Sequence, residues 1–138
     1  MGKVTGLGGV FFKAEDRDGL MDWYRRHLGI ASDEYGCMFE WREVDAPEHT
    51  GYTVWCPFAS DTNYFGPSNK PFMVNYRVED LSGLIGSLRT EGVEVVGDIE
   101  EHPNGKFAWI LDPEGNKLEL WEPIDCSSDP YLSAPDEG

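Results

Sequence analysis

A single carboxylate, Glu119, stands out as a residue that could do chemistry. It lies in DPEGNKLELWEP, residues 112–123, where the residue types predict a tight turn followed by a short strand. Side chains alternate along a strand, so Glu119 must point to the face opposite Leu118 and Leu120. There the carboxylate could act as a pocket acid or base, form an ion pair with Arg77 or Lys117, or face solvent.

The histidines and cysteines do not combine into a recognisable reactive motif. They are widely spaced in the sequence: His27, His49, His102, Cys37, Cys56 and Cys126. No HxH, HxxxH or CxxC spacing occurs, and no P-loop, dinucleotide or serine-hydrolase signature is present. Cys56 lies in the apolar run YTVWCPF, which favours a small buried side chain over a nucleophile.

The composition limits the classes of partner. The chain has 138 residues, 40% of them apolar, and carries a net charge of -15. That charge argues against nucleic acid and anionic membrane surfaces, which both require basic patches. No apolar run approaches the roughly 20 residues that span a bilayer, and no signal peptide is recognisable. The odd number of cysteines fits a reducing compartment, so we expect a cytoplasmic protein.

An internal repeat organises the elements that would position Glu119. The segments DRDGLMDWYRRHLG and EDLSGLIGSLRTEG both have helical spacing of apolar residues, and each follows an apolar strand-like run. With an offset of 64 residues, FFKAEDRDGLM aligns with NYRVEDLSGLI, and TVWCPF aligns with KLELWE. After one deletion, LGI also aligns with EGV. The repeat predicts two modules, about 6–66 and 70–123, within one domain at 1–125, followed by a loose tail at 126–138.

The apolar runs predict three or four strands in each module. The predicted strands are 7–12, 37–42, 51–57 and, weakly, 63–65 in the first module, and 72–78, 93–100, 106–111 and 117–121 in the second. HPNGK is typical of a hairpin turn between two of them.

This pattern resembles a known family. A duplicated βαβββ unit carrying HLGI, YRVEDL and DPEGNKLELWEP is similar to the vicinal oxygen chelate superfamily of glyoxalases, bleomycin resistance proteins and extradiol dioxygenases. The resemblance covers about residues 6–123. It implies an α+β fold in which two modules form a curved eight-stranded mixed sheet around a cavity, with the helices outside. By the same analogy the chain could form a homodimer.

The resemblance also implies where a metal would bind in this fold. The four pseudo-symmetric strand positions that carry ligands in the family's metal enzymes correspond here to Gly9, Trp55, Met73 and Glu119. Among them, only the carboxylate of Glu119 is a suitable ligand for a catalytic divalent ion. Such sites usually need about three protein ligands. We therefore expect no metal and no other cofactor.

Strand alternation predicts what the concave face of the sheet holds instead. If Glu119 lies on that face, the repeat adds apolar and polar neighbours: Phe11, Trp55, Met73, Asn75, Arg77, Lys117 and Trp121. Large apolar walls with a few polar groups are typical of a small-molecule pocket. The alternative is that these side chains fill the interior and leave no cavity.

Three functions remain open at this point. The first is a metal-independent protein that binds a small aromatic or cationic molecule in an aromatic-lined cavity. The second is a glyoxalase-like lyase or isomerase that uses Glu119 as general base, with an unconventional metal or none. The third is an accessory domain whose cavity is filled. Whether the protein is an enzyme is left undecided by the sequence.

Overall fold

A curved, open, seven-stranded mixed sheet forms the centre of the protein. The computed structural model describes residues 2–132. In chain order the elements are β1 (Lys3–Ala14), α1 (Arg17–Leu28), β2 (Cys37–Arg42), β3 (Thr50–Ala59), β4 (Phe72–Glu79), α2 (Leu81–Thr90), β5 (Glu100–His102), β6 (Gly105–Leu111), β7 (Lys117–Pro123) and a 3-10 helix, Cys126–Ser128. The strand order in the sheet is β2-β3-β1-β4-β7-β6-β5.

The two central strands relate the halves of the sheet by approximate two-fold symmetry. β1 pairs antiparallel with β4, and each has a parallel partner from its own half, β3 and β7 respectively. Gly9 pairs with Asn75, and Phe11 pairs with Met73. Gly9 and Met73 lie 64 residues apart, and so do Phe11 and Asn75, so the repeat converts each of these pairs into the other. The central strands therefore follow the offset predicted from the sequence.

Both helices begin at an aspartate cap, and these caps also lie 64 residues apart. The side chain of Asp16 accepts a hydrogen bond from the backbone N–H of Gly19, and that of Asp80 accepts one from Gly83. A Cβ at either glycine would lie 2.2 Å from an oxygen of the capping carboxylate. Each cap therefore needs a residue without a side chain three positions later.

The structure corrects the predicted number and extent of strands. The α+β class and the curved mixed sheet are confirmed, but the sheet has seven strands rather than eight. The weakly predicted strand at 63–65 is a turn, and Phe65 fills the interior instead. The predicted strand at 93–100 is interrupted by Gly97, whose φ of 80° is left-handed, and only Glu100–His102 extends as β5. The hairpin turn at HPNGK is confirmed between β5 and β6.

The sheet separates two apolar regions. On one face, Leu81 and Ile85 of α2 pack on buried residues of β4, β6 and β7: Val78, Ala108, Ile110 and Leu120. We call the opposite face, which carries Glu119, the inner face. Its buried apolar cluster is Phe11, Cys56, Phe65, Met73 and Trp109. Leu118 and Leu120 therefore pack toward α2, as strand alternation predicted.

The segment after β7 returns across the sheet. The Tyr52 hydroxyl donates a hydrogen bond to Asp129 Oδ2 at 2.8 Å, and Asp129 is buried. The last part of the predicted loose tail, residues 133–138, lies outside the described residues. Neither helix in the described range is long and apolar enough to cross a membrane.

Candidate functional site

Glu119 lies at the centre of the inner face and is 3% exposed. Three side chains donate hydrogen bonds to its carboxylate. Asn75 Nδ2 donates to Oε1 at 2.6 Å, and Trp109 Nε1 donates to Oε2 at 2.9 Å. The Tyr64 hydroxyl also donates to Oε2. Since buried charge requires hydrogen bonding, these three donors explain how the carboxylate can be held in an apolar interior.

The strand registers bring two of these donors to Glu119. Asn75 is its partner across the parallel β4–β7 ladder, and Trp109 is its partner across the antiparallel β6–β7 ladder. Tyr64 comes from the connection between β3 and β4, and its ring stacks on Phe58 at 5.7 Å between centroids. The site therefore combines two strand residues with one connection residue.

Asn75 is fixed against a glycine on the neighbouring strand. Its Nδ2 faces Glu119, so its Oδ1 turns toward β1, where a Cβ at Gly8 would lie only 2.0 Å away. Oδ1 is buried and has no hydrogen-bond partner among residues 2–132. The opposite amide orientation would place an oxygen against the carboxylate. The unpaired oxygen is therefore the cost of directing a donor at Glu119.

Lys117 borders the same site without forming an ion pair with Glu119 in the described structure. Its Nζ donates to the backbone oxygen of Tyr64 at 2.6 Å and lies over the rings of Tyr64 and Trp109, 5.2 and 5.7 Å from their centroids. Burial lowers the pKa of Lys117, and the nearby charge of Glu119 opposes that shift. The pKa of Tyr64 is raised by burial and by Glu119.

These contacts decide between the three readings of Glu119. The solvent-exposed reading is wrong, because the residue is buried. The ion-pair reading is not supported, since neither Arg77 nor Lys117 forms an ion pair with it among the described residues. Glu119 is an inner-face carboxylate whose polar contacts are supplied by neutral donors.

A cavity of about 940 Å³, which we call the aromatic cavity, opens beside this network. Its wall includes one side chain of the network, Tyr64, but not Glu119. Five aromatic residues line it: Tyr35, Tyr52, Tyr64, Phe107 and Tyr131. Other lining residues include Met38 and Val54. Tyr64 therefore stands between the aromatic cavity and the buried carboxylate.

The predicted site residues separate into groups in the structure. Asn75 and Lys117 lie with Glu119, while Phe11 and Met73 belong to the apolar cluster of the inner face. Arg77 and Trp121 lie further along the same strands, with the guanidinium over the Trp121 ring. None of these predicted residues lines the aromatic cavity.

Trp55 lies on the other face of the sheet, contrary to the prediction. Its ring contacts Phe12 of β1 and Tyr24 of α1, with 5.6 and 4.8 Å between ring centroids.

The strand pairs show which β3 residue is the counterpart of Glu119. Phe11 pairs with Cys56 in the first half, and its repeat equivalent Asn75 pairs with Glu119 in the second. Cys56 is therefore the counterpart of Glu119, with an offset of 63 residues. A slip of one residue reverses the face of every side chain in a strand.

With Cys56 in place of Trp55, the four symmetric strand positions can be compared with the ligands that a divalent metal needs. Gly9, Cys56, Met73 and Glu119 now occupy the four symmetric positions, and burial raises the pKa of the Cys56 thiol. The carboxylate of Glu119 already accepts from three donors. Within residues 2–132, no group of three or more His, Cys, Asp or Glu side chains is placed to hold a metal ion. The residues at these positions do not fit the divalent ion that the family's metal enzymes bind.

Sequence reasoning missed the residues that line the aromatic cavity. Tyr35, Tyr64 and Tyr131 lie outside the strands and helices, where periodicity carries no information. Placing Trp55 on the inner face puts Tyr52 and Val54, which alternate with it along β3, on the opposite face, and that assignment is wrong for the same reason. The one available signal was the alignment of LGI with EGV, which already required an offset of 63 after the first helix.

Comparison with solved structures finds the same fold in several enzymes. Methylmalonyl-CoA epimerase from Mycobacterium tuberculosis is 23% identical with a TM-score of 0.57, and the match covers 88% of this chain and 89% of that chain. A variant of the Streptomyces coelicolor epimerase in complex with 2-nitronate-propionyl-CoA is 15% identical with a TM-score of 0.64, covering 88% and 99%. The Mn(II)-bound glyoxalase from Novosphingobium aromaticivorans is 16% identical with a TM-score of 0.61, covering 96% and 44%.

No curated protein matches the sequence significantly. Residues 6–120, however, match the family model of the Glyoxalase/Bleomycin resistance protein/Dioxygenase superfamily, in agreement with the repeated modules and the sheet order. By this match and this fold, the chain belongs to the Glyoxalase/Bleomycin resistance protein/Dioxygenase superfamily.

Proposed function

We propose that the protein binds a small, planar aromatic molecule in the aromatic cavity and holds no divalent metal at the Glu119 position. The observation that carries this proposal is that Tyr64 lines the cavity and at the same time donates to a carboxylate whose other contacts are already made. A cavity of this size, apolar with a few polar groups, is in the range of small-molecule sites.

The chemistry of the cavity wall favours an aromatic ligand. Tyrosine and phenylalanine rings offer offset-stacked and edge-on contacts to a planar ring. The hydroxyls of Tyr52 and Tyr64 both donate to buried carboxylates, Asp129 and Glu119 respectively. The Tyr52 oxygen already accepts from Asn104 Nδ2 at 3.5 Å, so the Tyr64 oxygen is the better placed of the two to accept a hydrogen bond from the ligand.

The metal-free part of the proposal rests on the donor set at the symmetric positions. A divalent ion would find one carboxylate there, already hydrogen-bonded by Asn75, Trp109 and Tyr64. Binding a metal would require Glu119 to give up these donors, two of which are directed by strand pairing. Metal analysis of protein purified without chelator tests this part, and stoichiometric nickel, zinc or iron would contradict it.

The binding experiment uses Met38, whose side chain lines the aromatic cavity, as a reporter. A library of aromatic fragments is screened against protein with labelled methionine methyl groups, and we expect hits that shift the Met38 methyl signal. Val54→Trp adds an indole to the cavity wall and should abolish these shifts. Phe39→Trp adds the same group to β2 at a residue that does not line the cavity, and should preserve them.

Two outcomes would contradict binding in the aromatic cavity. If no fragment shifts the Met38 signal, or if Val54→Trp binds the hits as well as Phe39→Trp does, the cavity is not the binding site.

A second candidate function is proton transfer to or from the ligand, as in a lyase or isomerase with Glu119 as base. The hydrogen bond from Tyr64 to Glu119 favours it, because a proton taken from a ligand by the Tyr64 oxygen could be balanced by transfer of the tyrosine proton to the carboxylate. The test is exchange of ligand C–H hydrogens in deuterated water. Exchange that persists in Glu119→Gln would exclude this role.

Three further expectations stay predictions: a domain at 1–125, a cytoplasmic location and a homodimer. Light scattering after gel filtration tests the last of these directly.

A further inference from the structure

Arg77 is a buried cation held between two indole rings. Its side chain projects from β4 on the inner face, and the residue is 8% exposed. The guanidinium carbon lies 4.9 Å from the Trp41 ring centroid and 4.8 Å from that of Trp121. Cation–π contacts of this kind orient a guanidinium, but they leave the N–H groups at its edge free for other partners.

No carboxylate pairs with this guanidinium in the described structure. Among the described residues, the one hydrogen bond that the Arg77 side chain donates runs from Nη1 to the backbone oxygen of Tyr52, at 3.4 Å. Four of its five N–H donors therefore have no protein acceptor among residues 2–132. Burial lowers the pKa of Arg77, as expected for a charge without a compensating anion. No Arg77 nitrogen is both fully buried and unpaired among the described residues, so the donors that lack a protein acceptor are reached from the adjoining space.

The nearest acidic side chains are engaged elsewhere. Asp129 accepts from the Tyr52 hydroxyl and from the backbone N–H of Tyr131, both at 2.8 Å. Glu43 Oε2 lies 3.3 Å from His49 Nδ1. The negative charges of these carboxylates raise the pKa of Arg77 through space, but neither carboxylate forms an ion pair with it among the described residues.

The guanidinium opens into its own cavity. A space of about 920 Å³, which we call the Arg77 cavity, opens to the surface there. It is bordered by the start of β1, the ends of β2 and β4, the β2–β3 connection, the first residues of β3 and the segment after β7. Arg77 and Trp41 both line it. Tyr52 lines this cavity and the aromatic cavity, while Tyr64 lines only the latter. The two cavities are therefore distinct sites that share one wall residue.

We propose that the Arg77 cavity binds the carboxylate group of a small organic acid, with Arg77 as the anchor. A carboxylate is planar and matches the fork of a guanidinium with two parallel hydrogen bonds. The wall of the cavity contains five carboxylates against three strong bases: Glu43, Asp45, Glu79, Asp125 and Asp129 against Lys3, Arg42 and Arg77. This balance favours a monoanion over a phosphate carrying nearly two charges.

The experiment titrates benzoate, a planar monoanion, into uniformly nitrogen-labelled protein and follows the indole N–H signals. Trp121 Nε1 donates to Asn104 O and Trp41 Nε1 to Thr53 Oγ1, both at 2.9 Å, so both indoles have fixed partners. We expect saturable shifts of both signals with benzoate. Benzamide, the neutral isostere, and inorganic phosphate should each bind at least about tenfold more weakly.

The variants separate an anchoring role from a structural one. Arg77→Met should weaken benzoate binding at least about tenfold. Arg77→Lys, which keeps the charge and loses the fork, should also weaken it and guards against misfolding of the first variant. Arg89→Met is the matched control, because Arg89 is an exposed arginine of α2 that does not line the Arg77 cavity. It should bind benzoate within about twofold of the parent.

Several results would overturn the proposal. These are no saturable shift with benzoate, equal binding of benzamide, tighter binding of phosphate, or equal effects of Arg77→Met and Arg89→Met. The Trp109 indole, which donates to Glu119, reports on the other site. Benzoate that shifts the Trp109 signal but not that of Trp41, which lines only the Arg77 cavity, would support binding at the aromatic cavity and contradict binding at Arg77, so the two proposals can fail separately.

Discussion

The Tyr64 hydroxyl donates a hydrogen bond to Glu119 from the side of the aromatic cavity, so a residue of the β3–β4 connection covers the central carboxylate of the sheet. This single contact joins the interior network to the surface that a ligand would meet. It also makes the network accessible to mutation without altering a strand, because Tyr64 lies outside the sheet.

Replacing Tyr64 with phenylalanine should destabilise the protein. The substitution keeps the ring that stacks on Phe58 but leaves Glu119 Oε2 with Trp109 as its one remaining donor. Losing a hydrogen bond to a buried charge costs about 1–3 kcal/mol in the free energy of unfolding. Urea denaturation followed by circular dichroism measures the change.

Tyr35→Phe provides the control for this substitution. Tyr35 lines the same cavity but is 76% exposed, so loss of its hydroxyl should change the free energy of unfolding by less than about 0.5 kcal/mol. Equal stabilities of the two variants would mean that the bond between Tyr64 and Glu119 contributes little.

Gly8 should be the position on β1 least tolerant of a side chain. A Cβ there would lie 2.0 Å from Asn75 Oδ1 and 3.0 Å from Trp121 Cε3. The Asn75 amide must then move and lose its bond to Glu119, so we expect Gly8→Ala to cost about 2 kcal/mol or more. Gly6→Ala on the same strand meets nothing within 4 Å and should be close to neutral.

A double-mutant cycle identifies the cause of that loss. If the clash with Asn75 is responsible, then Gly8→Ala should cost much less in an Asn75→Ala background than alone, because the two residues share the contact. Additive costs would assign the effect to Trp121 or to the backbone instead.

The repeat in the sequence was sufficient to predict the central strands but not the face of β3. The offset of 64 holds for β1, β4 and both helix caps, since no insertion interrupts those segments. A deletion after the first helix changes the offset to 63. The counterpart of Glu119 is therefore Cys56, whereas an unchanged offset of 64 predicts Trp55. Because strand period is two, this difference of one residue moved Tyr52 and Val54 to the wrong side.

The hydrogen-bond network around Glu119 could be predicted only in part. Strand alternation placed Asn75 and Lys117 on the face of Glu119, and the structure confirms that placement. The bond from Trp109 to Glu119 could not be predicted, because the register of neighbouring strands cannot be read from spacing. Tyr64 was out of reach for another reason, since its position depends on how a connection packs across the sheet.

The helix caps offer an internal comparison of the same substitution. Gly83→Ala would bring a Cβ within 2.2 Å of the Asp80 carboxylate and displace the cap of α2. Loss of an N-cap costs about 0.5–2 kcal/mol. Gly86→Ala, in the same helix with nothing within 4 Å, should instead stabilise the protein by about 0.5–1 kcal/mol. Alanine gains the same helix propensity at both positions, so Gly83→Ala should be less stable than Gly86→Ala by about 0.5–2 kcal/mol, the cost of the cap. Equal midpoints in thermal unfolding would contradict the capping argument.

Lys117 should make stability depend on pH in the alkaline range. Burial lowers the pKa of Lys117 in the folded protein below its ordinary value of 10.5. Between the folded and unfolded pKa values the unfolded chain binds more protons, so the contribution of Lys117 to stability rises with pH in that window. The comparison is between the parent protein and Lys117→Met, which removes the titrating group and fills a similar volume.

We expect the stability of the parent relative to Lys117→Met to increase as pH is raised toward 10.5 and then to level off. Tyr52 and Tyr64, whose pKa values are raised by burial, act in the opposite direction above pH 10, because the unfolded chain loses their protons first. Both proteins carry these tyrosines, so the difference between their urea midpoints isolates the lysine. A difference that stays constant from pH 8 to pH 10.5, or that falls, would show that burial between Tyr64 and Trp109 does not lower the pKa of Lys117.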